Sequence, residues 1–484
     1  MNTIGADEYF SQWNDSEGIA TKMLPILNEL RLERGVLVHV YGRSIANVSS
    51  LDILKAHRHS RLALGREFTV QESYPVLQAV GRLNLGPCRI DLGKLTAKCQ
   101  ARPNLQRSID AFVRDALAEA NIGVQPVLAA PQDVVLYGFG RIGRLLARIL
   151  VEKTGRGDKI RLRGAVVRPG GPDDLKKRSA LLRLDSVHGP FSGTILLDEA
   201  QNAVVANGNL IRILYADGPD AIDYTRYGIQ DAILVDNSGR WRDREGLSRH
   251  LKAPGIRRVL LTAPGKGDIP NIVYGINEGS IAPDEPIVSA ASCTTNAIVP
   301  VLKVLLERFG LVTGHVETVH AYTNDQNLID NFHRAARRGR AAALNMVITE
   351  TGAAKAVVRV IPELAGKLTG NAIRVPTPDV SLAILKLTLE KATSKEELNE
   401  FLRDIAINGV LRDQINYTDS PDIVSSDLIG SRHSSVVDGV ATIVNPSDGR
   451  HIVLYVWYDN EFGYACQVVR ILQKMAGITL IELP

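Results

Sequence analysis

The sequence predicts an α/β protein in three successive parts. These are a helical N-terminal domain, a mostly parallel sheet with helices on both faces, and an α+β domain whose sheet is mainly antiparallel. Three observations predict it. A strand-like run, Val134–Leu136, leads through Gly138–Phe139–Gly140–Arg141–Ile142–Gly143 into an apolar helix, Leu145–Val151. Further short apolar runs (Gly164–Val167, Ile211–Leu214, Ala232–Val235, Val259–Thr262 and Ile287–Ser289) alternate with helical stretches, as in a parallel sheet covered on both sides. After Cys293 the runs lengthen and alternate, at Val312–Ala321, Val380–Glu390 and Ile452–Trp457, the pattern of strands with one buried face.

Taken in order, residues 1–130 carry apolar residues at helical spacing: Leu24, Ile26, Leu27 and Leu30, then Leu51, Ile53 and Leu54, then Ile109, Phe112, Val113, Ala116 and Leu117. With no repeat and no chemistry-bearing motif, this part reads as a helical accessory domain, closed by the proline-containing linker Gly123–Gln132. Residues 131–292 open on strand, GxGxxG and helix, the context that a dinucleotide fingerprint requires. The first glycine makes the tight turn, the second lets backbone approach a pyrophosphate and the third allows close helix–strand packing. The part is therefore expected to be a Rossmann-type dinucleotide-binding domain. Residues 293–460 form the expected catalytic domain, and 461–484 a C-terminal helix returning to the dinucleotide-binding domain.

The catalytic expectation starts at Ala291–Val299, ASCTTNAIV, where Cys293 precedes an apolar helix. A lone cysteine is more often a packing residue. At a helix N-terminus, however, unsatisfied amides and the positive end of the dipole favour a thiolate and can stabilise a substrate oxyanion.

Composition bounds the rest. A chain of 484 residues is too long for one ordinary core, and 45% hydrophobic with 23% charged residues describes a soluble globular protein. A net charge of +4 is too small to argue for nucleic acid, and the basic cluster Arg334–Arg340 is assigned instead to anion binding. The cysteines Cys88, Cys99, Cys293 and Cys466 show no CxxC pairing, which predicts a reducing compartment and no metal site. No secretory signal and no membrane-spanning run is visible, so a cytoplasmic protein is expected.

From Val134 to Met475 the chain resembles phosphorylating glyceraldehyde-3-phosphate dehydrogenase. The motifs that carry the resemblance stand in the family's order: GFGRIG, LDSVHGPF (Leu184–Phe191), ASCTTN, TVHAYTNDQ (Thr318–Gln326), TGAAKAV (Thr351–Val357), KLTG with RVPTPDVS (Lys367–Ser381) and WYDNEFGY (Trp457–Tyr464). The resemblance implies that Cys293 attacks the aldehyde and that hydride leaves for the nicotinamide. Inorganic phosphate then cleaves the resulting thioester to 1,3-bisphosphoglycerate. It makes His320 the acid–base partner of Cys293. It places the substrate phosphate at Thr323, Asp325 and Arg374, and the attacking phosphate at Ser292, Thr351, Gly352 and Arg338, with Thr294 beside them. For the cofactor it implies Gly138, Phe139, Gly140, Arg141, Ile142 and Ser238, with Asn460 on the nicotinamide carboxamide and Tyr464 beside it. It also implies a homo-oligomer, the family's tetramer, with no nucleic-acid or membrane partner.

The departures shape the remaining expectations. Tyr137 stands where the family has Asn before the first glycine. Arg168 stands where an acidic residue commonly holds the ribose hydroxyls, and Asn331–Phe332 replace the Leu–Pro typical of NAD-using members. A cation at Arg168 suits a 2′-phosphate, so the cofactor is expected to be NAD or NADP, with NADP favoured. Glu350 replaces a hydroxyl residue before Thr351 and would repel inorganic phosphate there. That keeps open the related erythrose-4-phosphate dehydrogenase. A regulatory or scaffolding role through residues 1–130 is the further alternative.

Overall fold

The computed structural model describes residues 5–102, 109–349 and 351–484, so Glu350 lies outside the described residues. The chain divides into two compact units. One comprises residues 1–131 with 154–159 and 478–484, and the other comprises 132–153 with 160–477.

The first unit differs from the helical expectation. Its helices, among them Ala6–Arg34, Ser50–His59, Val70–Gly81, Leu92–Gln100 and Ile109–Ala116, contain the apolar residues read as helical except Leu117, which falls in the turn after the last. Alongside them runs a four-stranded sheet in the order Arg43–Ser44, Leu37–Val40, Cys88–Asp91, Ile481–Leu483, with every pair parallel except the first. The strands are too short for their period to stand out, although Val36, Val38 and Val40 do alternate inward. The last strand comes from the far end of the chain. Its Ile481 and Leu483 pack against a core of Met23, Leu27, Leu30, Ile53, Leu77 and Leu95. The expected terminal helix therefore stops at Met475, where Gly477 turns the chain at φ 75° and frees the tail to extend.

The second unit holds two large sheets. The first runs Ile287–Ser289, Ile256–Leu261, Ala232–Asp236, Gln132–Tyr137, Ile160–Val167, Asn209–Tyr215, Ala203–Ala206, Ile195–Asp198. Its first six strands are parallel and the last two antiparallel. Val134, Val135 and Leu136 in the central strand are wholly buried, as a sheet covered on both faces requires. The antiparallel edge hairpin was not expected. Its signal is the Asn207–Gly208 turn, both residues left-handed (φ 44° and 79°), which is a two-residue hairpin connection.

The second sheet runs Val347–Thr349, Leu368–Val375, Leu311–Ala321, Ser381–Leu389, His451–Tyr458, Ser435–Asp438, Ile415–Thr418. It is mainly antiparallel, with parallel pairing of Leu311–Ala321 to Leu368–Val375 and of Ile415–Thr418 to Ser435–Asp438. The helix Cys293–Phe309 shares one apolar core with its inward residues, among them Val301, Leu305, Leu385, Leu387, Leu454 and Val456. The final helix, Phe462–Met475, packs on the fingerprint helix Arg141–Lys153.

Candidate active site

The turn before Cys293 is built under strain. Ala291 has φ +55°, a conformation that costs a residue with a Cβ about 1–2 kcal/mol. It is held by Tyr464, whose hydroxyl donates to the Ala291 carbonyl at 3.0 Å, and by Asn296, whose amide donates to Ala290 and Ser292 carbonyls at 2.8 and 2.9 Å. Ser292 caps the helix by accepting from the Thr295 amide at 3.0 Å. Cys293 is thus the first helical residue, and its Sγ lies 3.5 Å from His320 Nε2.

His320 sits near the end of the strand Leu311–Ala321, where the parallel register sets it beside Arg374. Its Nδ1 lies 2.7 Å from the Ala321 carbonyl, which can only accept. Arg374 Nη1, which can only donate, lies at the same distance from Nδ1; a proton on Nδ1, shared with the carbonyl, is the arrangement that turns the Nε2 lone pair to the sulfur. Arg374 Nη1 also donates to Ala321 O at 3.0 Å. Burial and Arg374 together push the imidazole down to about 3. Burial pushes the Cys293 thiol up, against the pull of Arg374 and of the first amides of the helix. At the sulfur, desolvation therefore opposes the helix terminus.

Among the phosphate candidates, Arg374, Asp325 and Arg338 form a path from this pair. Asp325 accepts from the Thr323 hydroxyl and pairs with Arg338, whose Nη2 lies 3.3 Å from Thr349 Oγ1. Arg374 and Arg338 each keep a buried Nε with no partner, so an arriving anion has donors to satisfy. Thr351 Oγ1 accepts from the Ala353 amide at 3.1 Å, and Gly352 caps the helix Ala353–Val360. Thr294 turns away from this path, its hydroxyl bonded to Tyr458 Oη at 3.0 Å.

The fingerprint glycines act at three distances. A Cβ on Gly138 (φ 102°) would meet Asn237 and Ser238 backbone at 3.2–3.3 Å, and one on Gly143 would strike the Gly138 carbonyl at 2.3 Å. Around Gly140 nothing lies within 4 Å, which leaves the cradle a pyrophosphate needs at the helix start. Phe139 is buried and Ile142 partly so. Arg141 does not offer its side chain to a cofactor. The guanidinium pairs with Glu461 and, at 3.1 Å, with Asp185, so its backbone amide is what the fingerprint supplies. Ser238 is exposed, with its N–H and Oγ both donating to Asp236 Oδ1 at 2.7 and 2.6 Å. Arg168 is exposed just past the strand Ile160–Val167. Asn460 is buried and accepts from Ser381 at 2.7 Å.

Several groups here escape a sequence reading. Tyr458 gathers the hydroxyls of Thr294 and Thr318, the latter at 2.7 Å, and Ser381 pairs with Tyr458 across the sheet. His188 lies among Asp185, Asp379, Asp459 and Glu461. His188, Asp379 and Glu461 are close enough to surround a metal ion. Because Arg141 already neutralises Glu461, we read them as an ion-pair network. Only cross-strand register brings these residues together. The one sequence signal was that LDSVHGPF and RVPTPDVS contain acidic and imidazole residues that the resemblance left without a role.

Comparison with known proteins agrees with this geometry. The family model for the NAD binding domain of glyceraldehyde 3-phosphate dehydrogenase matches residues 132–244, and the model for its C-terminal domain matches residues 292–460. A glyceraldehyde-3-phosphate dehydrogenase-like protein of Pseudomonas aeruginosa (strain UCBPP-PA14) is 58% identical over 94% of this chain and 98% of its own. That alignment must run through most of the N-terminal unit. The chloroplastic glyceraldehyde-3-phosphate dehydrogenase A of Zea mays is 43% identical over 70% of this chain and 81% of its own. The glyceraldehyde-3-phosphate dehydrogenase of Thermotoga maritima is 43% identical over 71% and 98%.

Proposed function

Because this chain belongs to the glyceraldehyde-3-phosphate dehydrogenase family, and is with it a nicotinamide-dependent oxidoreductase, we propose that it oxidises glyceraldehyde 3-phosphate by the phosphorylating route through a thioester on Cys293. The observation that carries this reading is the 3.5 Å approach of Cys293 Sγ to His320 Nε2, with Arg374 Nη1 2.7 Å from Nδ1. As sulfur attacks the aldehyde carbon, its proton passes to Nε2. Nε2 passes that proton to the former carbonyl oxygen, giving the hemithioacetal hydroxyl, and takes it back as hydride leaves and the carbonyl re-forms. The nicotinamide supplies the hydride acceptor. Arg374, Thr323 and Asp325 hold the substrate phosphate, while Arg338, Ser292, Thr351 and Gly352 hold the attacking one. Gly138, Gly140 and the first amides of the fingerprint helix hold the pyrophosphate, with Asn460 at the nicotinamide.

We favour NADP over NAD. Burial and Asp236 push the Tyr137 phenol up, and Arg240, Arg249 and Arg168 stand close enough to oppose them. Asp236, in the neighbouring strand, is itself occupied by Ser238 and by His250 at 3.0 Å. A 2′-phosphate finds cations here and no free carboxylate. A homo-oligomer is supported by one segment in which Leu328, Ile329, Phe332, Leu344, Met346 and Ile348 leave apolar side chains in solvent. All four cysteines are free and no described helix is long and apolar enough to cross a membrane, which supports a reducing, cytoplasmic setting.

Initial rates with NAD and with NADP, each with and without phosphate, test the proposal. Phosphate-dependent formation of acyl phosphate is expected, with Arg168→Asp shifting preference toward NAD. Carboxylic acid as the product in the presence of phosphate would contradict the phosphorylating route. An unchanged cofactor ratio in Arg168→Asp would contradict the NADP reading.

A further inference from the structure

We propose that Ser381 is a positioning residue that fixes the orientation of the Asn460 amide, so that its amino group, not its oxygen, faces the cofactor. The proposal rests on the reading above that Asn460 meets the nicotinamide carboxamide.

Ser381 is buried, and its Oγ lies 3.1 Å from the Ala321 amide and 2.7 Å from Asn460 Oδ1. The Ala321 N–H can only donate, so Ser381 accepts there; its single proton goes to Asn460 at 2.7 Å, with the Tyr458 hydroxyl as the other group near it. A hydroxyl proton needs an acceptor, which makes the Asn460 atom facing Ser381 the oxygen. Asn460 Nδ2 is left to point the other way, toward a carbonyl oxygen on the nicotinamide side chain. The same hydroxyl holds the amide that immediately follows His320, so one side chain ties the acid–base residue and the cofactor's ligand together.

The segments carrying Ser381 and Asn460 are pinned as well. Asp379 and Asp459 both lie against His188 Nε2, at 3.1 and 3.3 Å, with the His188 side chain almost fully buried. Asp379 is held there by charge and not by an aligned hydrogen bond, since neither of its oxygens has a hydrogen-bond partner. Asp459 also accepts from the amides of Gly430, Glu461 and Phe462 at 2.8, 2.9 and 2.6 Å. Between Asp379 and Ser381 stands Val380 at φ +62°, a left-handed conformation that a β-branched residue adopts only when its surroundings impose it. His188 on one side and the two hydrogen bonds of Ser381 on the other supply that constraint.

Cofactor analogues read the orientation in the wild-type enzyme, so no variant has to fold for the test to work. 3-Acetylpyridine adenine dinucleotide keeps the carbonyl and lacks the amino group, and the thionicotinamide analogue weakens the carbonyl acceptor. The acetylpyridine form is expected within about threefold of the parent KM, and the thionicotinamide form about three- to tenfold above it, the worth of one hydrogen bond. The reverse order would overturn the proposal. Ser381→Ala is expected to raise the parent KM by about three- to tenfold and to narrow the gap between the analogues, with Ser381→Thr restoring both. A Ser381→Ala enzyme with wild-type KM values would also overturn it. If Asn460→Ala leaves the dinucleotide KM unchanged, it is the placing of the nicotinamide at Asn460 that fails.

Discussion

A sulfur and an imidazole nitrogen 3.5 Å apart become a reacting pair only if one holds a proton and the other can take it. Burial pushes the imidazole down and the thiol up, and a proton on Nδ1, shared with the Ala321 carbonyl, leaves Nε2 able to take the one on sulfur. Cys293→Ser is therefore expected to lower turnover by about 10³-fold or more, and His320→Asn by about 10²-fold or more with KM little changed. His320→Asn should also slow alkylation of Cys293 by iodoacetamide, and equal alkylation rates would deny the imidazole its role as base. His188 gives the pH prediction. Four carboxylates face it against the single guanidinium of Arg141, and its pKa is pushed up to about 10. A histidine raised in this way stabilises the fold fully below its ordinary value, and that contribution is lost as pH rises through the folded value. The gap in melting temperature between wild type and His188→Gln should therefore close from pH 7 to 10, a range in which Asp379, raised to about 6, is already ionised.

At the scale of elements, what could be read was local and what could not depended on register. The fingerprint was legible because strand, turn and helix are contiguous and each glycine answers a short-range demand. The Cys293 helix was legible because its Ser292 cap and apolar run are adjacent. Ser381, Tyr458 and His188 were not, since their partners lie across the sheet or hundreds of residues away. The glycines offer a paired prediction. Gly143→Ala would drive a Cβ into the Gly138 carbonyl and should destabilise the unit by about 2 kcal/mol in urea unfolding. Gly140→Ala has open space, so it should melt like wild type and instead raise the dinucleotide KM. Equal loss of stability in both would mean that the open cradle is not a ligand cradle. Ser292→Ala removes the cap on the Thr295 amide and should cost about 1 kcal/mol in the same assay.

For the whole molecule, the first 130 residues read as helices because amphipathic periodicity is carried within one segment, whereas their sheet is assembled from strands of two to four residues. No local pattern announces that Ile481–Leu483 will lie against Cys88–Asp91, with Arg89 paired to Glu482 at 2.7 Å. Ending the chain at Gly477 should lower the unfolding temperature of the N-terminal unit and expose it to protease. Unchanged proteolysis would show that the tail strand contributes nothing to it. In the other unit, trapping tests the thioester on Cys293. Enzyme given glyceraldehyde 3-phosphate and dinucleotide without phosphate is digested at once and its peptides are weighed. The account predicts a phosphoglyceroyl adduct on the peptide containing Cys293, discharged when phosphate is added. Turnover with no adduct, or with the adduct on another residue, would contradict it.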